Sequence, residues 1–268
     1  MTAPNVSNPT RSAATANQVR LPRTAALGPG RGEQPRLLID APAGAAEIYL
    51  HGATVTSWVP RGGAEVIFTS RQAVFDGATA IRGGIPLCLP EFGAGINGDA
   101  VPKHGWARIA PWRLRTVTST DDGGVRALLS VSRDHLTALC EIQIGETLRL
   151  GLSLRNDGTE PRTVEAAAHT YLSVHDVTAS LVSGLAGASY SDNLARSPQE
   201  LRQVQDGDVR ITGPVDRIYD SAEPVTVTDP GHRRAIHIDK RNAPSTIVWN
   251  PWSTYSAPLP DMADDEFP

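Results

Sequence analysis

The stretch TLRLGLSLRND, residues 147–157, constrains the fold more than any other. Leu148, Leu150, Leu152 and Leu154 alternate with Arg149, Gly151, Ser153 and Arg155. Successive side chains of a strand point to opposite faces, so this period of two puts all four leucines on one face and wets the other. A helix would scatter the same leucines around its circumference. Asn156-Asp157-Gly158 then supplies a turn. Shorter runs repeat the pattern: RLLID, AEIYL, ATVTSWV, EVIFTS, RALLSVS, TVEAAAHTYLSV, EPVTVTD, RAIHID and STIVW. Clusters such as PRGG, DDGG and TDPG separate them. Only Ser197 to Val204 suggests a turn or two of helix. The expectation is an all-β chain, a large antiparallel β-sandwich or barrel with little helix, forming a single domain over residues 33–268.

Residues 1–32 differ. They hold four arginines and no acid amid Ser, Thr, Ala, Pro and Asn, a composition unable to bury enough apolar surface to fold. A disordered leader is expected there. It lacks the apolar core of a secretory signal, while its acid-poor, Ser- and Arg-bearing character also suits a transit peptide.

Charge and composition exclude several classes of function. A net charge of −4 and a pI near 6.0 leave no footprint for nucleic acid or an anionic membrane. No run approaches the ~18 apolar residues of a membrane-spanning helix. Two cysteines, Cys88 and Cys140, without a CxxC pair, argue against a disulfide framework and for the reduced cytoplasm. The histidines form neither HxH nor HExxH. His169 and His175 could share a strand face, but nothing marks a third ligand, so no metal is expected. GPGRGEQ lacks a preceding strand and a following helix, and no GxxxxGK[ST] exists, so no nucleotide cofactor is expected either. A monomer acting on a small molecule remains.

Residues 80–108 read AIRGGIPLCLPEFGAGINGDAVPKHGWAR. Turns explain the glycines, but not why Arg82 precedes Gly83-Gly84, why His104 precedes Gly105, or why Arg108 closes the run. The functional alternative is a small anion gripped by the arginines, with backbone brought close to it where a Cβ would clash. Each candidate also has a structural reading. His169, amid small and apolar neighbours, suits a buried hydrogen-bonded histidine; His104, Arg82 and Arg108 suit the surface. Asp216 in PVDRIYD suits a turn or a partner for Arg217. Trp58, Trp106, Trp112, Trp249 and Trp252 suit core and rim packing better than a sugar-stacking row.

Taken in order, IRGGIP, LPEFG, HGWAR, AAAHTYLSV, VDRIY and VWNPW resemble the glucose-6-phosphate 1-epimerases, or hexose-6-phosphate mutarotases, of the aldose 1-epimerase superfamily. HGATVTSWVP and EVIFTS resemble that family's opening strands, so the likeness runs from about Gly30 to Phe267. It implies a galactose mutarotase-like β-sandwich, no cofactor, and a hexose 6-phosphate whose α and β anomers are interconverted by acid/base ring opening and closing. It implies His169 as the catalytic histidine and His104 as a second active-site histidine touching the sugar. It implies Arg82 and Arg108 as phosphate ligands and Asp216 as the ligand of sugar hydroxyls. Those residue types suit the chemistry: histidine exchanges protons near neutrality, and the arginine fork binds phosphate bidentately. The family's general base is a glutamate on a strand following its DDE(Y/F) segment. Here that segment is MADDEFP, ending at Pro268, so Glu266 matches the loop and the base is expected beyond it, with the domain lacking its last strand. The expectation is therefore a chain cut short of that strand. A phosphosugar-binding relative without catalysis, or a mutarotase of a neutral aldose, are the alternatives.

Overall fold

The structure is a computed structural model describing residues 19–263, 265 and 266. Strands dominate, and every pairing is antiparallel. Two four-stranded meanders enclose the larger core. One runs Ala25–Pro29, Pro35–Ala41, Gly44–Tyr49 and Thr54–Pro60; the other runs Arg113–Ser119, Val125–Arg133, Leu136–Ile144 and Leu148–Asn156. Leu37, Ile39, Ile48 and Val55 of the first meet Val125, Leu129, Ile142 and Ile144 of the second, all fully buried. Truncating one such side chain to alanine costs about 2–5 kcal/mol. The four leucines of 148–154 lie half-buried against this core while Arg149, Gly151, Ser153 and Arg155 between them stay exposed, as their alternation requires.

Two further four-stranded sheets share a second core around Leu185, Tyr190, Val209, Val215 and Tyr219. The second of these sheets places Val215–Tyr219 between Ser189–Asp192 and Thr246–Asn250. A two-stranded ladder, Leu87–Cys88 against Ala167–Ala168, forms the fifth sheet. Its pairing continues irregularly as His169 and Tyr171 donate their amides to the carbonyls of Pro86 and Gly84.

Three expectations need correction. The leader does not extend to residue 32. Val19 and Leu21 pack on the larger core, and Ala25–Pro29 pairs in register with Pro35–Ala41, because these few apolar residues gain a sheet edge to pair with. Residues 1–18 lie outside the described residues. EVIFTS is no continuous strand: Ile67 and Thr69 make single bridges to Leu172 and Gly83. The segment around Ser197 holds one short helix, Pro198–Leu201, which passes directly into the strand Arg202–Val204.

Candidate active site

The irregular pairing of residues 84–88 with 167–171 determines which side chains meet. His169 and Tyr171 are two residues apart in extended backbone and therefore share a face. Their rings stack at 4.7 Å between centroids, 21° from parallel. Trp249 presents its ring edge-to-face to both, at 5.5 Å from His169 and 5.8 Å from Tyr171. Beside them opens a hollow of about 210 Å³, lined by residues that include Arg82, Pro86, Arg108, His169, Tyr171 and Asp261. Arg82 and Arg108, which are 26 residues apart in sequence, thus face the same space as His169.

The two guanidinium groups are held differently. Arg82 donates from Nε to Asp261 at 3.1 Å and from Nη1 to the Tyr171 hydroxyl at 3.3 Å. Arg108 donates from Nη2 to the Lys103 carbonyl at 2.9 Å, while its Nε–H is buried without an acceptor among the described residues. No ion pair to Arg108 forms among them, and burial together with the neighbouring Arg82 lowers its pKa. A buried donor left unpaired costs about 1–3 kcal/mol, more when charged.

His104 stands behind His169, ring centroids 6.3 Å apart at 79°. It does not line the hollow. The Gly93 amide donates to its Nδ1 at 3.2 Å and Cys88 Sγ lies 3.5 Å away, so in the neutral ring Nε2 carries the proton and can donate. Its φ of +65° is left-handed, a conformation a non-glycine residue adopts at a cost. Burial first, then Arg108 and other cations, pushes the His104 pKa down to about 4. Burial first, then His104 and the arginines, pushes His169 to about 4 as well. Both imidazoles are neutral near pH 7.

Asp216 lies in a second hollow of about 240 Å³, with Leu194, Val215, Trp249, Asn250 and Tyr255. It sits directly opposite Trp249 across the strand pair, and Trp249, which lines this hollow, also meets His169 and Tyr171 of the first. Its Oδ1 accepts from Asn193 at 3.0 Å, and burial raises its pKa. Arg217, on the other face of the strand, pairs instead with Asp192 at 3.3 Å.

Sequence reasoning missed Tyr171, Asp261 and the position of Trp249. The signal for Tyr171 was its spacing of two from His169. Asp261 carried no signal, because its approach to Arg82 spans 179 residues. The glycines also serve a different purpose from the one expected. A Cβ on Gly83 would lie 2.5 Å from Thr69 Cα, and one on Gly105 would lie 2.1 Å from the Leu89 carbonyl oxygen. They let backbone approach backbone within the protein. Glu266 faces away from this chemistry, accepting from Ser70 Oγ at 2.7 Å and pairing with Arg71 Nε at 2.9 Å.

Comparison with known proteins agrees with the architecture. The structure of YeaD from Salmonella typhimurium matches with a TM-score of 0.82 at 27% identity, covering 92% of this chain and 84% of that one. A galactose mutarotase-like protein from Lactobacillus casei, 15% identical, shares the fold with a TM-score of 0.61 over 87% of this chain and 85% of its own. Proteins named "Putative glucose-6-phosphate 1-epimerase" from Cenchrus ciliaris and Escherichia coli K12 are 32% and 30% identical. They cover 83% and 86% of this chain and 71% and 79% of their own lengths. The aldose 1-epimerase family profile matches residues 35–268. An aldose epimerase of mostly antiparallel β structure, the chain belongs to the aldose 1-epimerase family.

Proposed function

We propose that the protein interconverts the α and β anomers of a hexose 6-phosphate, glucose 6-phosphate in the first instance. Arg82 and Arg108 hold the phosphate, and the pyranose ring lies toward His169 and Trp249. Asp216, beyond Trp249, takes sugar hydroxyls. In the reaction the C1 hydroxyl gives its proton to a base that no described residue supplies, the ring oxygen gains one from His169, and the C1–O5 bond breaks to give the open aldehyde. Rotation about C1–C2 and reclosure with reversed proton transfers delivers the other anomer. His169 supplies the proton to the ring oxygen, a role worth typically 10²–10⁴-fold in rate. His104, which stands behind His169 and does not line the hollow, is assigned no contact with the sugar. Glu266 takes no part, since its carboxylate is engaged by Ser70 and Arg71.

The observation carrying this reading is that Arg108, with no ion-pair partner among the described residues, lines one hollow with Arg82 and His169. A neutral aldose would leave that charge unanswered. The phosphate also accounts for the histidine. Burial chiefly holds the His169 imidazole neutral, with repulsion from His104 and the arginines adding to it, and a dianion between the arginines opposes that added repulsion and so raises its readiness to carry a proton.

Anomer exchange in glucose 6-phosphate, followed by NMR exchange spectroscopy, tests this directly. Exchange is expected to accelerate with the protein and to be lost in His169→Ala. In the double variant Arg82→Ala, Arg108→Ala it should fall by on the order of 10²-fold or more, at about 1.5–3 kcal/mol for each hydrogen bond to a charged group. Binding of glucose 6-phosphate without faster exchange would support the phosphosugar-binding reading. Equal rates for the double variant and wild type would refute the phosphate assignment.

A further inference from the structure

We infer that Tyr171 is a positioning residue that couples the anion grip of Arg82 to the imidazole of His169. The inference rests on the phosphate reading of the hollow. Tyr171 is 7% exposed, and its place in the wall is fixed from several directions. Its amide donates to the Gly84 carbonyl at 2.9 Å, and its carbonyl accepts from Phe68 at 3.0 Å. Phe68 lies alongside at 6.4 Å and Trp249 meets the ring edge-on at 5.8 Å. A side chain packed this tightly cannot move without moving its neighbours.

The two ends of Tyr171 serve different partners. The hydroxyl accepts from Arg82 Nη1, while Asp261 takes Arg82 Nε. A guanidinium held at two of its N–H groups has its plane fixed, and its other donors remain to meet an anion bidentately. The ring face carries His169 at 4.7 Å, close to parallel. One rigid phenol thus fixes the plane of a phosphate ligand with its oxygen and the plane of the imidazole with its π face. Phenylalanine would fill nearly the same volume with the same flat wall, but it offers no acceptor. Sterics alone therefore give no reason for tyrosine here.

The two functions can be separated by two substitutions in the full chain. Tyr171→Phe keeps the ring and removes the acceptor; Tyr171→Leu removes both. Inorganic phosphate serves as the probe, with affinity measured by calorimetry and the His169 imidazole followed by NMR. The phenylalanine variant should bind phosphate about tenfold more weakly, as expected for one hydrogen bond to a charged group. At saturation its His169 resonance should still shift as in wild type. The leucine variant should bind with similarly reduced affinity, and its His169 should lose the wild-type response at saturation. A purely space-filling role would change thermal stability and leave both readouts alone. Wild-type phosphate affinity in Tyr171→Phe, or a wild-type His169 response in saturated Tyr171→Leu, overturns the inference while the phosphate reading stands. Absence of phosphate binding by the wild type removes both.

Discussion

The imidazoles of His104 and His169 meet edge to face, their centroids 6.3 Å apart, and His169 lines a hollow together with two arginines. So many potential cations in one place cannot all be charged without large repulsion. The arginines keep their protons because their intrinsic pKa is far higher. The histidines yield, and each is pushed to about 4, with burial as the largest cause.

The first prediction follows from that hierarchy. NMR titration of the free protein should place the midpoints of His104 and His169 near 4, and phosphate should raise both, since an anion answers Arg82 and Arg108. Linkage fixes the sign of the stability effect. An unfolded histidine titrates near 6.5, so between about pH 6.5 and 4 the unfolded chain binds protons that the folded chain refuses. Stability therefore falls as acid is added through that window and is fully present above it. Phosphate should flatten the loss. Midpoints near 6.5 unaffected by phosphate would show that these imidazoles do not feel the arginines.

A second prediction concerns Asp261, the carboxylate that shares the hollow with the proposed phosphate site. Asparagine in its place retains an oxygen to accept from Arg82 Nε, so the guanidinium stays oriented. What disappears is a negative charge facing the anion. At a separation of about 7 Å and an effective dielectric of about 20, that repulsion is on the order of 2 kcal/mol. Losing the charge on the Arg82 partner costs about 1 kcal/mol or less at a partly exposed pair. The first effect is larger, so Asp261→Asn should tighten inorganic phosphate binding by roughly tenfold in calorimetry. Weaker binding would mean that Asp261 organises Arg82 by its charge and not by its hydrogen bond.

How much of this was legible beforehand varied with the range of the interactions involved. The strand at Leu148–Asn156 was readable because alternation is local and its leucines all face one core. The four-stranded meander around it was only half visible. LTALCEIQI, Leu136–Ile144, lies centrally and is buried along one face, yet Leu139, exposed on its other face between Ala138 and Cys140, breaks the apolar/polar alternation. Arg82, Arg108 and His169 came to one hollow as the ordered motifs implied, whereas His104 stands behind His169 and Asp216 lies beyond Trp249. Composition carries no trace of such a partition, which depends on how two sheets and an irregular ladder pack. The leader was misjudged for a related reason: Ala25–Pro29 has little apolar surface of its own and is ordered by a neighbouring strand it cannot specify alone.

The last prediction tests whether the loop glycines serve the protein or the ligand. Gly105 has a φ of +68°, and a Cβ there would lie 2.1 Å from the Leu89 oxygen and 2.3 Å from its carbon. That carbonyl accepts from the Ala107 amide at 3.0 Å, and the Leu89 amide donates to the His104 carbonyl at 3.2 Å. Relieving the clash therefore requires pulling apart the two bonds that fix His104 and the approach to Arg108. Left-handed backbone adds about 1–2 kcal/mol for a residue with a Cβ. Together with a displaced pair of hydrogen bonds at about 1 kcal/mol each, the expected loss is about 3–4 kcal/mol. Calorimetric melting of Gly105→Ala should show a drop of roughly 10 °C for a chain of this size. Gly62, also left-handed but with open space where a Cβ would stand, provides the control, and Gly62→Ala should lose only the backbone share. If both variants melted alike, close approach at Leu89 would not be what demands glycine. If only ligand binding suffered in Gly105→Ala, with melting unchanged, the glycine would be there for the substrate after all.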